Sequence, residues 1–164
     1  IFGAGFAKLG KMVTGIEDME KGKEVKAKLY TAFPGLKELN LRLNKFFYQT
    51  QNKSGLGFVP ALDGRKVYAE SSFKLLNYLL QAFEAITVKT AVVNAFKMFK
   101  EEHLNVDILG LIHDEVQVQT DAKNVNRVKE ILSYSFGDFI TKELKLNIQM
   151  NGDAKEGNNW YATH

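Results

Sequence analysis

Three adjacent ionisable residues, His113, Asp114 and Glu115, interrupt two apolar runs in the stretch ILGLIHDEVQV. Neighbouring carboxylates suit a hard divalent cation such as Mg²⁺, which prefers carboxylate oxygens and retains some of its waters. A phosphoryl-transfer site with two such ions needs carboxylates that converge from at least two places in a fold. Because no other acid in the sequence is an obvious second contributor, the triplet predicts at most one half of a two-metal site.

Ordinary explanations compete with this interpretation, because a charged tripeptide is a weak signal by itself. The triplet is also typical of a polar turn between two strands. His113 could be a hydrogen-bonded surface histidine, and the two acids could pair with nearby lysines. The residues alone therefore leave a metal site and an ordinary turn both open.

A second polar set falls on one face of a predicted helix, where Lys74, Asn77 and Gln81 are spaced three and four residues apart. Side-chain amides both donate and accept hydrogen bonds, so they can contact the minor-groove acceptors that every base pair presents, without selecting a sequence. The ordinary alternative is that both amides are solvated or bonded to neighbouring side chains.

The elements that must position the triplet follow from hydrophobic periodicity. The apolar run from Ile108 to Ile112 predicts a strand buried on both faces, and the alternation of Val116 and Val118 with glutamines predicts a half-buried strand after it. The triplet then lies at the turn of a β-hairpin. There a carboxylate has a rigid support and stays wet enough to remain ionised.

The rest of the chain is predicted to be mostly helical, with Ser71 or Ser72 as the N-cap of the longest helix. Pro34-Gly35 predicts a kink or a break, and Asp63-Gly64 is typical of a tight hairpin turn. This order of elements predicts an α+β fold with antiparallel β-hairpins backed by long helices. The predicted elements are a short amphipathic segment over 6–16, one or two helices over 19–53, a hairpin over 55–71, a helix from 71 or 72 to 103, the hairpin over 106–120, a helix over 124–144 and a strand at LNIQM, residues 146–150.

Composition limits the class of protein. The chain has 164 residues, 45% hydrophobic and 25% charged, which are the proportions of a soluble globular domain or part of one. The absence of cysteine excludes disulfides and thiolate metal sites. With no apolar run of membrane length and no leader recognised, we expect a cytoplasmic location and no membrane partner. The net charge of +3 and a lysine excess in residues 1–53 permit a polyanionic partner without requiring one.

Five spaced segments carry a family resemblance: FGAG, DGRKVY, LNYLLQAFEAI, LGLIHDEVQV and the closing NNWYATH. In this relative order they resemble the C-terminal end of family A DNA polymerases, and most closely the bacteriophage branch. The resemblance covers essentially the whole chain and implies a DNA-directed DNA polymerase, located in the host cytoplasm if a phage encodes it. It implies an incomplete domain. Residues 1–53 would be the C-terminal part of the fingers, and residues 54–164 would be the C-terminal part of the palm with its antiparallel sheet.

The resemblance gives each residue of the triplet a role. Asp114 matches the palm aspartate that binds both catalytic Mg²⁺ ions. Glu115 matches a nearby and less essential acid, and His113 matches a residue that contacts the primer end. The family's second metal-binding aspartate and its nucleotide-binding helix should precede Ile1. The implied partners are therefore primer–template DNA, a dNTP and an N-terminal polymerase portion, on a separate chain or the same polypeptide, without which the chain is inactive.

The resemblance also implies DNA contacts. Asn77 and Gln81 match a helix that touches the minor groove of the newly formed pair. Lys74 lies next to Phe73, which occupies a position where many relatives have a basic residue. The remaining implied contacts are Arg65 and Lys66 in a basic hairpin, Gly3, Ala4 and Gly5 in a turn that leaves space for the template, and Trp160 and His164 in a terminal segment that packs toward the palm. A non-catalytic, palm-like DNA-binding module is the alternative function.

Overall fold

The computed structural model describes residues 4–163, which form two compact units that divide between Ala82 and Phe83. Each unit combines helices with one two-stranded antiparallel sheet. The predicted α+β class, with small antiparallel sheets and long helices, is therefore confirmed.

Three helices open the first unit: α1 (Phe6–Thr14), α2 (Met19–Ala32) and α3 (Pro34–Thr50). The Asp18 carboxylate caps α2 by accepting a hydrogen bond from the Lys21 backbone N–H at 2.8 Å. Pro34 is the first residue of α3, where its missing N–H costs nothing. The chain therefore breaks into two helices at this proline, one of the two outcomes that the sequence left open.

A β-hairpin follows, formed by β1 (Gly57–Pro60) and β2 (Lys66–Ala69). Gly64 takes the left-handed φ of 81° in a loop of five residues, Ala61 to Arg65, so the turn is longer than the tight one expected at Asp63-Gly64. The hairpin rests on a buried apolar cluster that it shares with α3 and the next helix: Leu43, Phe47, Val59, Ala69, Leu75 and Leu76.

The long helix α4 (Leu75–Glu101) runs from the first unit into the second after a short 3₁₀ turn. Ser71 precedes that turn, yet its side chain makes no capping hydrogen bond. By length and composition alone, Ser72–Glu101 could cross a membrane, so the expectation that no segment is long and apolar enough is wrong. Core helices meet the same criterion, and α4 buries Leu75 and Ala95 within the protein.

The second unit contains the other predicted hairpin, formed by β3 (Val106–Ile112) and β4 (Glu115–Thr120). Only its base reaches the core, where Val106 and Val118 pack against a cluster from α4 and the following helix. Leu109 and Leu111 are 65% and 49% exposed, so the prediction of a β3 strand buried on both faces is wrong. Among the residues that the structure describes, nothing covers that apolar run.

Helix α5 (Val125–Tyr134) continues through a π-helical turn (Ser135–Phe139) into α6 (Ile140–Glu143), and α7 (Trp160–Thr163) is the last described element. The strand predicted at residues 146–150 is wrong, because local groups bind this backbone instead. The Leu146 N–H donates to the Thr141 carbonyl at 2.9 Å, and the Met150 N–H donates to the Thr141 hydroxyl at 2.9 Å.

Candidate active site

The charged triplet lies at the tip of the β3–β4 hairpin. Ile112 pairs with Glu115, so His113 and Asp114 form a turn of only two residues. His113 has a φ of 53°, in the left-handed region that a short turn requires and that histidine tolerates better than most side chains. Both turn residues are exposed, whereas Glu115 is half-buried as the first residue of β4.

The two acids of the triplet differ in their partners. Glu115 accepts a hydrogen bond from the Gln117 amide on the same strand. The Asp114 carboxylate makes no hydrogen bond or ion pair with any residue from 4 to 163. Asp114 is thus an exposed carboxylate on a hairpin tip, held by the backbone and left open to a ligand.

This donor set fits part of a Mg²⁺ site. Mg²⁺ is often bound through one or two carboxylates together with water and substrate phosphates, and Asp114 offers one such carboxylate. Within residues 4–163, no three His, Asp or Glu side chains converge as a metal centre. The described part of the chain therefore offers one exposed carboxylate at this tip and no complete metal site.

A groove of about 780 Å³ runs beside β4 from the triplet. Three segments line it: β4 with Asp114, the mostly apolar face of α5, and the C-terminal segment over residues 151–160, which we call its C-terminal wall. In the described residues β4 pairs with β3 alone, so the edge of β4 that lines this groove carries no strand partner. An unpaired strand edge beside an apolar helix face is a place where another strand can add.

The predicted helix-face set lies on α4 and the turn before it. Asn77 and Gln81 are both exposed, and neither side chain has a hydrogen-bond partner among residues 4–163. Lys74 is different, because its ammonium lies 3.2 Å from the Glu70 carboxylate, an interaction that raises the pKa of Lys74. Phe73, at 58% exposure, adds an uncovered aromatic ring to the same region.

The basic pair of the β1–β2 hairpin is partly engaged. The Arg65 Nε donates to the Asp63 carboxylate at 2.6 Å, and this hydrogen bond lowers the pKa of Asp63. The Lys66 ammonium lies 4.7 Å from the centre of the Phe58 ring. Arg65 therefore has a local carboxylate partner that a phosphate would have to replace, a competition that the sequence prediction did not include.

The glycine turn and the terminal segment are only partly described. Gly5 is the N-cap of α1, and a Cβ added there would meet no atom within 4 Å. Trp160 begins α7 and is half-exposed. Gly3 and His164 lie outside the described residues.

The predicted site residues belong to two units. In the second unit, His113, Asp114 and Glu115 lie together on one hairpin tip. In the first unit, Asn77 and Gln81 share an exposed helix face, and Arg65, Lys66 and Lys74 lie in the segments before it. The sequence prediction missed the groove, including the glycines that shape its C-terminal wall. Gly152 carried no recognisable signal, because its importance depends on a backbone contact with a distant helix.

Comparison with known proteins identifies the family. The family model of DNA polymerase family A matches residues 1–162. This chain belongs to DNA polymerase family A. The match includes both compact units, so the family assignment does not depend on the charged triplet alone.

Several polymerases are similar to this family A chain. The DNA-directed DNA polymerases of Enterobacteria phage T3 and Escherichia phage T7 are each 25% identical over 178 aligned positions, which cover 100% of this chain and 25% of theirs. DNA polymerase I of Aquifex aeolicus is 26% identical over 149 positions, covering 88% of this chain and 25% of the relative. The chain thus spans about a quarter of the length of these relatives.

A solved structure supports the fold. The POL domain of Pol1 from M. smegmatis, in complex with DNA primer-template and dNTP, superposes with a TM-score of 0.80 at 18% identity. The match covers 99% of this chain and 29% of that one. The described fold is therefore that of one portion of a family A polymerase domain.

Proposed function

We propose that this chain is the C-terminal portion of a DNA-directed DNA polymerase, in which Asp114 is a metal-binding carboxylate for the addition of a dNTP to a primer. The observation that carries this proposal is the exposed Asp114 carboxylate on the hairpin tip, without a partner among residues 4–163 of a family A chain. A carboxylate kept free on a rigid support is available for a cation, whereas one locked in an ion pair is not.

The three residues of the triplet would have different roles at the primer end. Two bound Mg²⁺ ions supply charge stabilisation for the attacking and leaving oxygens of the phosphoryl transfer. Asp114 would hold its carboxylate at the fixed tip, and the neighbouring His113 would contact the primer end. Glu115, already bonded to Gln117, is the less essential acid. The second aspartate of the site would come from outside this chain.

Primer–template DNA is the proposed partner of the exposed amides. Asn77 and Gln81 lie one helical turn apart and have no competing partner among the described residues, which leaves their donors and acceptors available for minor-groove atoms. Arg65, Lys66 and Lys74 are proposed phosphate contacts, with Arg65 exchanging its Asp63 partner for a phosphate. The contacts proposed for Gly3, Gly5 and His164 stay predictions.

An N-terminal polymerase portion is the second proposed partner. The uncovered residues Leu109 and Leu111 on β3, and the unpaired edge of β4 beside its groove, support this proposal, because apolar strands of this kind are normally covered. The subdomain assignment, fingers over 1–53 and palm over 54–164, and a cytoplasmic location without a membrane partner belong to the same proposal.

The proposed N-terminal polymerase portion has two possible origins, a separate chain or the preceding part of one polypeptide. The mass of the native protein distinguishes them, since a split polymerase separates into two chains under denaturing conditions. In either case we expect the 164 residues alone to extend no primed template. Extension by the isolated chain would overturn the assignment of an incomplete site.

The function is tested by Asp114→Asn in the complete protein, with primer extension and primer–template binding measured in parallel. We expect extension to be lost and binding to be retained, because the amide removes a metal-binding charge without removing DNA contacts. Unchanged extension would discard the assignment of Asp114 as a metal-binding carboxylate. A complete protein that binds primer–template but extends it under no condition would favour the alternative, a palm-like module that binds DNA and catalyses nothing.

A further inference from the structure

Two glycines, Gly137 and Gly152, lie where the C-terminal wall of the groove approaches the end of α5 and the π-helical turn. A Cβ on Gly152 would lie 2.7 Å from the Phe136 Cβ, which is closer than real Cβ atoms approach, and 3.0 Å from the Ser133 carbonyl oxygen, which is tighter than most such contacts. A Cβ on Gly137 would lie 3.4 Å from the Met150 carbonyl oxygen. The backbone at Gly152 therefore lies closely against Ser133 and Phe136, and a side chain at residue 152 would force one of them to shift.

Thr141 joins the same two segments by hydrogen bonds. Its hydroxyl donates to the Gly137 carbonyl at 3.0 Å and accepts from the Met150 N–H at 2.9 Å. The Gln149 amide adds a bond to the Asp138 carboxylate at 2.9 Å. The π-helical turn is thus bonded to the chain immediately before Gly152, and such turns are found frequently at functional sites.

A second attachment lies farther along the segment. The Lys129 ammonium on α5 lies 3.0 Å from the Glu156 carboxylate, in a partly exposed ion pair that contributes little alone. Between Gly152 and Glu156 every residue of the segment lines the groove, which β4 and Asp114 also line. The main attachment is therefore the contact at Gly137, Thr141 and Gly152, which we name the tail latch.

We propose that the tail latch positions the C-terminal wall of the groove that Asp114 also lines, so that Gly152 and Thr141 are positioning residues for the metal-binding tip. This inference rests on the proposed function for its catalytic consequence. The geometry that it requires, a groove of fixed width between β4 and the C-terminal segment, can be measured without any assay of activity.

The groove width is measured with two spin labels placed on β4 and on the C-terminal wall. Both Gln119 and Asn158 are exposed and line the groove, and the chain contains no cysteine, so Gln119→Cys and Asn158→Cys give two defined labels. The measurement is made on the complete protein with any other cysteine replaced. We expect one narrow distance distribution in the parent protein and a broad, shifted one after Gly152→Ala.

Matched variants distinguish the loss of the latch contacts from a general loss of folding stability. Gly35→Ala is the control for the glycine change, because a Cβ at Gly35 meets nothing within 4 Å. Thr141→Val removes the hydroxyl at nearly constant volume, whereas Thr141→Ser keeps it. We expect Thr141→Val to broaden the distribution and Thr141→Ser to restore it, which keeps the test open if Gly152→Ala does not fold.

The catalytic consequence is tested by the Mg²⁺ dependence of primer extension. We expect Gly152→Ala and Thr141→Val to raise the Mg²⁺ concentration for half-maximal extension by about threefold to tenfold, the factor that one lost hydrogen bond represents. The rate at saturating Mg²⁺ should change little. A general loss of stability would lower that rate and leave the Mg²⁺ midpoint in place.

Two results would overturn the proposal. An unchanged label distance in both latch variants would show that the latch does not fix the groove. A broadened distance with an unchanged Mg²⁺ midpoint would show that the groove wall does not serve the metal-binding tip. Failure of the proposed function is recognised separately, by full extension in Asp114→Asn with the label distances as expected.

Discussion

The two β-hairpins each carry an aspartate in the turn, and the two carboxylates have opposite surroundings. Asp63 in the β1–β2 loop binds Arg65, two residues later, and the hydrogen bond from that guanidinium lowers the pKa of Asp63. Asp114 in the β3–β4 turn has Val116 at the equivalent spacing and no partner among residues 4–163. The same residue type at the same kind of position is thus paired with a guanidinium in one hairpin and without a described partner in the other.

The supports of the two hairpins differ as well. The β1–β2 hairpin places Val59 and Ala69 in a core, and a Cβ on Gly57 would overlap the Phe47 ring. The β3–β4 hairpin buries only its base and leaves Leu109 and Leu111 uncovered. The apolar side chains of the β1–β2 hairpin are covered within its own unit, whereas those of β3 are exposed, as on a strand that binds another chain or domain.

The largest expected effect comes from removing each aspartate in turn. In the complete protein, Asp114→Asn should lower the rate of primer extension about 100-fold or more, since a lost metal ligand removes several kcal/mol of transition-state stabilisation. Asp63→Asn should leave that rate within about twofold of the parent rate, because the Asp63 carboxylate is hydrogen-bonded to Arg65 and is not proposed to bind metal. Single-turnover extension measures both. Equal losses would remove the distinction between the hairpins.

Truncation of one buried and one uncovered strand residue tests the difference in support. Val59→Ala, at a side chain 3% exposed, should lower the free energy of unfolding of this chain by about 1–3 kcal/mol. Leu111→Ala should lower it by less than about 0.5 kcal/mol, because the side chain is 49% exposed. Urea titration measures both changes. A loss at Leu111 as large as that at Val59 would show that β3 is covered within the chain.

The exposed amides of α4 are expected to raise kcat/KM for primer–template extension by about tenfold each. Gln81→Ala in the complete protein should lower kcat/KM for primer–template extension about tenfold, the scale of a lost contact to a base edge. Gln49→Ala changes another exposed helical glutamine and serves as the matched control. A loss of the same size in both variants would assign the effect to the surface in general.

The smallest effect concerns the Asp63 pair itself. A pKa held below its ordinary value of 3.8 contributes stability above that pH, and the contribution disappears as the pH falls through the folded-state pKa. Arg65→Gln should return the pKa of Asp63 toward 3.8, whereas Lys66→Gln should leave it unchanged. Carboxyl carbon NMR during acid titration measures both. Identical titration curves in Arg65→Gln and the parent would contradict the pairing.

The sequence predicted what depends on local pattern. The period of α4, the break at Pro34 and the turn at His113-Asp114 are encoded by neighbouring residues, and all three are present. The burial of β3 was predicted wrongly, because an apolar run indicates that a strand should be covered and not which chain covers it. The strand expected at residues 146–150 was replaced by hydrogen bonds to Thr141, and such competition by a single nearby residue leaves no periodic signal.

The most direct test of the central claim is Asp114→Cys in the complete protein, assayed for primer extension in Mg²⁺ and in Mn²⁺. A thiolate is a poor ligand for hard Mg²⁺ and a better one for Mn²⁺, so a direct metal ligand should show metal-dependent rescue. We predict almost no extension in Mg²⁺ and a substantial recovery in Mn²⁺, which gives a much higher Mn²⁺-to-Mg²⁺ rate ratio than in the parent protein. An unchanged ratio would contradict metal binding by Asp114.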